Sequence, residues 1–183
     1  MDIGRLWVFG YGSLMWNPGF EHERAVVARL NGFARTFCMH SIHHRGTVEH
    51  PGLVLALDEQ PQTHCDGLGF KVRRGLEDET LTYLRERELI SSAYLETSQQ
   101  IQLLDGDEVT AVTYVVDRDH VQYCGGLPLA EQAETIARAI GGRGHNSDYL
   151  FNTTSHLANM GIVDADLEML SQMVRNIQKS GGV

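Results

Sequence analysis

The first two thirds of the chain alternate short apolar runs with turn residues, and the final third changes to a helical period. Runs at Leu6–Phe9, Ala25–Leu30, Arg35–Ser41, Leu53–Leu57, Leu68–Val72, Ala93–Leu104 and Glu108–Val116 predict strands. The last two flank Leu104-Asp105-Gly106-Asp107, whose Asp-Gly pair is a strong hairpin signal. A helix is predicted between Leu76 and Leu89. Further on, Pro128 suits a first-turn position, and the run to Ile140 ends at Gly141-Gly142, a C-cap signature. A second late helix starts near Asn146 and stops around Gly161. Asp164 then caps a third, whose Leu167, Leu170, Met173 and Val174 form an apolar stripe. This order predicts an α+β fold, a strand-rich body best drawn as a small mixed barrel with helices packed around it and a helical carboxy-terminal third. No repeat, low-complexity tract or linker interrupts the pattern, so residues 1–183 are expected to form one domain.

Composition narrows the function. A chain of 183 residues can bury a useful core, and 42% hydrophobic with 21% charged residues describes an ordinary soluble globule. No apolar run is long enough to span a bilayer and no signal peptide precedes the first strand, so no membrane partner is expected. A formal net charge of −9 argues against nucleic acid, which needs a basic stripe, and favours small-molecule chemistry. Cys38, Cys65 and Cys124 form neither a CxxC pair nor an even disulfide set, which predicts reduced thiols and a cytoplasmic location.

Two features carry chemistry. The strand-like Leu6–Phe9 breaks into Gly10-Tyr11-Gly12-Ser13-Leu14. Glycine lets other atoms approach the backbone closely, and such a turn can aim several N–H groups into one concavity suited to an anion or an oxyanion. The second feature is Glu88. With about 100° per residue, Leu81, Leu84 and Glu88 share one side of the predicted helix. A carboxylate on a core stripe is costly unless paired, hydrogen-bonded or protonated, and burial raises its pKa toward the range useful for proton transfer. The bland alternatives are that Glu88 reaches solvent at the helix end or pairs with Arg85 or Arg87. Glu79 lies nine residues earlier, on the opposite side of an ideal helix, and reads as a first-turn acid. His40, His43, His44, Glu49 and His50 lie close in sequence, but His40 and His43 do not converge on a strand and no cysteine pair completes a set, so no metal is assigned.

The segment Val8-Phe9-Gly10-Tyr11-Gly12-Ser13-Leu14-Met15-Trp16-Asn17-Pro18 resembles the opening motif of the ChaC family of γ-glutamylcyclotransferases. Three further matches follow in order: His44-Arg45-Gly46-Thr47 with Pro51-Gly52, Tyr83-Leu84 with Arg87-Glu88, and Asn146 with Tyr149-Leu150-Phe151. The resemblance runs from about Leu6 to about Val174, and the length of Leu89–Tyr94 suits the bacterial branch. It implies a closed γ-glutamylcyclotransferase-like barrel and cleavage of glutathione, without cofactor, to 5-oxoproline and cysteinylglycine. It also implies Glu88 as general base and substrate contacts from Val8, Phe9, Gly10, Tyr11, Gly12, Ser13, Leu14, Arg45 and Tyr149. Arg45 equally suits bracing a loop through carbonyls, Tyr149 equally suits the core, and Arg35 reads as structural. Val48 stands where the family has proline, which loosens the central loop. Two rival functions are a cyclotransferase for other γ-glutamyl amines and a non-catalytic regulator of cation transport. Oligomeric state is not legible.

Overall fold

The computed structural model describes residues 5–181 and divides the chain into two compact units. The first takes the residues up to Arg35 together with Leu57–His120, and the second takes Thr36–Ala56 with the residues from Val121 onward. Five strands close into a barrel in the order β1-β3-β2-β4-β5: β1 (Trp7–Gly10), β2 (His22–Ser41), β3 (Gly52–Val72), β4 (Tyr94–Leu103) and β5 (Glu108–Val116). A single helix, α1 (Glu77–Glu88), separates β3 from β4. The α+β barrel expected from the sequence is the observed fold.

Strand β1 is the organising element of the first unit. It pairs antiparallel with β3, Val8 opposite Phe70, and parallel with β5, Val8 opposite Val112. All four of its residues are buried, because successive side chains leave a strand on opposite faces and both faces here are covered. Trp7 and Phe9 join one apolar cluster with Leu30, Leu57 and Ile101. Val8 joins a second with Leu14, Phe70, Val72, Leu84 and Tyr114. The second cluster packs Leu84 of α1 against the strand, and Leu84 is wholly buried.

The sequence reading divides two long strands that are continuous. Ala25–Leu30 and Arg35–Ser41 both lie in β2, and Leu53–Leu57 and Leu68–Val72 both lie in β3. The turn-like residues between them do not end the strands. Gly32 takes φ +81° and Gln62 takes φ +66°, single left-handed residues of the kind that bend a strand without terminating it. The Asp105-Gly106 hairpin forms as expected, with Gly106 at φ +99° and its N–H donating to the Leu103 carbonyl at 2.9 Å.

The second unit holds the late helices, α2 (Leu129–Arg138), α3 (Asn146–Asn159) and α4 (Ala165–Ser180), which pack on one another. Asp164 caps α4 as expected, its carboxylate accepting from the Leu167 N–H at 3.1 Å. Two details differ. Pro128 is the N-cap of α2 rather than its first residue, its carbonyl accepting from the Gln132 N–H. Gly141-Gly142 does not cap that helix, which ends at Arg138; instead β6 (Ile140–Gly141) and β7 (Gly144–His145) make a short hairpin. Gly141 is needed there because a Cβ would stand 2.4–2.6 Å from the backbone of His44, Arg45 and Gly46. Among the described residues no helix is long and apolar enough to cross a membrane.

Candidate active site

Two of the four sequence motifs meet in the first unit. Beyond β1 the chain makes a 3₁₀ turn, Ser13–Met15, with the Met15 N–H on the Gly12 carbonyl and the Asn17 N–H on the Ser13 carbonyl, both at 2.9 Å. The first N–H groups of such a turn have no acceptor inside it, so they are available to something else. The loop carbonyls are tied inward: Thr113 Oγ1 donates to the Phe9 carbonyl at 3.1 Å, and Arg35 Nε donates to the Tyr11 carbonyl at 2.6 Å. Arg35 is itself buried and also donates to the Asp66 carbonyl, which fits the structural role read from the sequence.

Val8, Phe9, Gly10, Tyr11 and Leu14 are all buried, whereas Gly12 is half-buried and Ser13 exposed. The two glycines therefore differ. A Cβ on Gly10 would press on Leu14 and Phe70 at 3.1 and 3.2 Å, while one on Gly12 would meet nothing within 4 Å. Gly10 is a packing glycine and Gly12 borders open space.

Helix α1 brings its last turn to this loop. Leu84 faces the core as predicted, and Glu88, the last helical residue, keeps 20% of its side chain exposed. Of the sequence alternatives, pairing with Arg87 is the one that forms, with Arg87 Nε 3.2 Å from Glu88 Oε1. Arg85 is engaged elsewhere, bidentate to Glu96 at 2.8 and 2.9 Å. Burial raises the Glu88 carboxyl above its ordinary value and the Arg87 charge only partly opposes this. The nearby Tyr114 phenol is also held high, by burial first and then by Glu96, to which its hydroxyl donates at 3.0 Å. Glu96 is held low by the Arg85 hydrogen bonds first. Burial thus favours the protonated form of Glu88, while Arg85 favours the ionised form of Glu96.

In the sequence Arg87 stands out as a partner of Glu88 and as part of the third family match, with no role of its own. Its Nη1 also donates to the Asn17 carbonyl at 2.7 Å and to the Tyr83 hydroxyl at 3.0 Å, and its Nη2 donates to Ser13 Oγ at 3.0 Å. Glu79 lies exposed in the first turn of α1, as read. With Gly19, Phe20, Glu21, Leu76, Thr80 and Tyr83 it lines a cavity of about 430 Å³.

The other two motifs meet in the second unit. Asn146 is wholly buried at the start of α3, its Oδ1 accepting from the Leu53 N–H and its Nδ2 donating to the Leu53 carbonyl. Gly52 must be glycine here, since a Cβ would stand 2.1 Å from the Arg45 carbonyl and 2.7 Å from Asn146 Oδ1. Arg45 Nη1 donates to the Arg143 and His145 carbonyls at 2.8 and 3.1 Å, and its guanidinium lies 5.7 Å from the Tyr149 ring centre. Tyr149 packs edge-on against Phe37. The two predicted substrate contacts are thus neighbours, each anchored by protein groups on one side.

The histidines do not gather. Burial first, then Arg143, lowers the His44 pKa, and among the described residues no three His, Cys, Asp or Glu side chains are placed to hold a metal ion. None of the three cysteines is in a disulfide, Cys38 and Cys65 are buried, and burial pushes the Cys124 thiol up to about 11, away from nucleophilic chemistry.

The family model for ChaC-like protein matches residues 6–177. A glutathione-specific gamma-glutamylcyclotransferase of Escherichia coli (strain K12) is 36% identical over 176 residues, covering 96% of this chain and 75% of that protein. The protein of the same name from Schizosaccharomyces pombe is 30% identical over 197 residues, covering 97% of this chain and 96% of that one. In fold, the crystal structure of a gamma-glutamyl cyclotransferase specific to glutathione from yeast superposes with a TM-score of 0.85 at 23% identity, over 98% of this chain and 99% of that chain. With these matches along nearly its full length, the chain belongs to the ChaC-like protein family.

Proposed function

We propose that this protein is a glutathione-specific γ-glutamylcyclotransferase, a lyase that releases 5-oxoproline and cysteinylglycine from glutathione. The observation that carries the mechanism is the half-buried Glu88 carboxylate, raised in pKa, at the end of α1 and linked through Arg87 to Ser13 of the glycine loop.

The chemistry is intramolecular. The substrate's α-ammonium gives one proton to Glu88, and the freed amine attacks its own γ-carbonyl carbon. A C–N bond forms, closing a five-membered ring, and the carbonyl oxygen becomes an oxyanion. The oxyanion then collapses, the bond to the cysteinyl nitrogen breaks as Glu88 returns its proton to that nitrogen, and the proton still on the ring nitrogen passes by way of the Glu88 carboxylate to the released amine, which leaves as an ammonium. One carboxylate with a raised pKa serves each of these transfers. The N–H groups at the head of the Ser13–Met15 turn suit the oxyanion or the glutamyl carboxylate, and holding the folded conformer keeps the amine in attacking geometry. Ser13, Cys38, Cys65 and Cys124 are not needed as nucleophiles, and no cofactor enters any step.

The family resemblance also assigns substrate contacts to Arg45 and Tyr149, whose guanidinium and ring lie side by side in the second unit. The span of the family match, residues 6–177, supports reading the chain as one catalytic module. Cysteines outside any disulfide, two of them buried, and a glutathione substrate both suit the reducing cytoplasm. Incubation of the purified protein with glutathione, followed by mass detection of 5-oxoproline, tests the proposal. Turnover of γ-glutamyl dipeptides in preference to glutathione would redirect it to another leaving group, and absence of any turnover would remove it.

A further inference from the structure

We infer that Arg87 is the positioning residue of the site: one guanidinium ties the glycine loop, through Ser13 and Asn17, to the Glu88 carboxylate, so that loop and base share a single geometry. The inference rests on the reading of Glu88 as the base.

Four hydrogen bonds and an ion pair converge on that one side chain, to Ser13 Oγ, the Asn17 and Pro18 carbonyls, the Tyr83 hydroxyl and Glu88 Oε1. Adjacent side chains on a helix diverge by about 100°, so an i, i+1 pair does not ordinarily meet. Here the ion pair forms because both side chains turn to the same place at the end of α1. A guanidinium presents donors in a fixed plane, which allows several acceptors at set angles to be held at once; an ammonium is a point charge without that fork. The contact also decides what Ser13 can do. Its oxygen accepts from Arg87, leaving the hydroxyl proton free to donate outward, beside Gly12 where the chain borders open space.

The cation has an electrostatic consequence as well. The groups facing Glu88 are Arg87 of α1 and Tyr114 of β5, and the Tyr114 hydroxyl is committed to Glu96 of β4, which Arg85 of α1 neutralises. Of these, Arg87 is the group that favours the carboxylate at Glu88. Its removal leaves burial unopposed and moves the carboxyl further up.

Steady-state kinetics with glutathione across pH, on Arg87→Gln, Arg87→Lys and Glu88→Gln, test this. Arg87→Gln is expected to raise KM severalfold, to lower kcat by about 10²-fold, the usual effect of a small misplacement of reacting groups, and to shift the acid limb of kcat to higher pH. Arg87→Lys restores the charge but not the fork, so the acid limb returns to the wild-type position while KM stays raised. A folded Arg87→Gln protein with wild-type KM and acid limb overturns the inference, and so does a loss of activity that tracks thermal stability while the limb stays in place. If Arg87→Gln does not fold, Arg87→Lys decides, and a wild-type KM there overturns it. Glu88→Gln separates the two readings. An active Glu88→Gln removes the base and this inference with it, whereas an inactive one beside an unperturbed Arg87→Gln removes only the positioning role.

Discussion

Asn146 clasps both backbone atoms of Leu53, accepting from its N–H and donating to its carbonyl, each at 2.7 Å. The side chain thereby substitutes for a missing strand partner at the point where α3 begins and β3 enters. Both bonds are buried, so water cannot replace them.

Asn146→Ala should therefore be strongly destabilising without touching the proposed chemistry. Two buried backbone groups left unpaired cost roughly 2–6 kcal/mol, taking about 1–3 kcal/mol for each. Urea unfolding of the variant against wild type measures it. A difference well under 1 kcal/mol would mean the backbone finds other partners and the clasp is dispensable.

Glu88→Gln should separate activity from stability. Turnover with glutathione should fall by roughly 10²–10⁴-fold, the usual contribution of a positioned acid–base group. Stability should move the other way. The folded state raises the Glu88 carboxyl above its ordinary 4.5, so the group favours folding fully below that value and loses this contribution as pH rises through its folded pKa. The melting temperature of Glu88→Gln minus that of wild type is thus expected to grow from acid to neutral pH. A difference that is flat, or that shrinks toward neutrality, contradicts the buried-carboxylate account.

The glycine loop predicts a contrast between two substitutions. Gly10→Val meets Leu14 and Phe70 and should lower thermal stability, whereas Gly12→Val meets no protein atom within 4 Å of its Cβ and should fold. The kinetic order is reversed, with Gly12→Val raising KM for glutathione because its side chain occupies the space bordering Ser13. Equal melting temperatures for the two variants, or wild-type kinetics in Gly12→Val, would take the loop out of the site.

Ring closure is distinguished from hydrolysis by the fate of solvent oxygen. With turnover run in ¹⁸O-labelled water, with and without EDTA, the expected product is unlabelled 5-oxoproline at an unchanged rate. Labelled free glutamate identifies a hydrolase, and inhibition by the chelator returns attention to His40, His43, His44 and His50. N-acetylation of the glutamyl amine should abolish the reaction, since it removes the attacking lone pair.

What the sequence made legible follows from what is local. The α1 span, the Asp105-Gly106 hairpin and the Asp164 cap depend on residues within a few positions of one another, and each forms as read. For Glu88, helical periodicity gave only the face it shares with Leu84, and the role of base came from the family resemblance. The continuity of β2 and β3 was not, because Gly32 and Gln62 carry the same signal whether a strand bends or ends. Nor was the distinction between Gly10 and Gly12, which rests on Phe70, a residue 60 positions from one of them. Arg87 shows the limit most clearly. Its neighbour Glu88 and the nearby Tyr83 were in view, but its hold on Ser13 and Asn17 spans about seventy residues and exists only once the chain has folded.

The parallel pairing of Val8 with Val112 has a consequence for how the molecule comes into being. The strand that carries the glycine loop is separated from one of its two neighbours by more than a hundred residues of chain. Long-range contacts of this kind form slowly because a long stretch of chain must be ordered before they repay the entropy of closure. The pairing of β1 with β5 can form only once the chain through β5 has been made. A chain halted before Val112 therefore lacks the partner that closes the barrel beside the strand from which Gly12 and Ser13 extend.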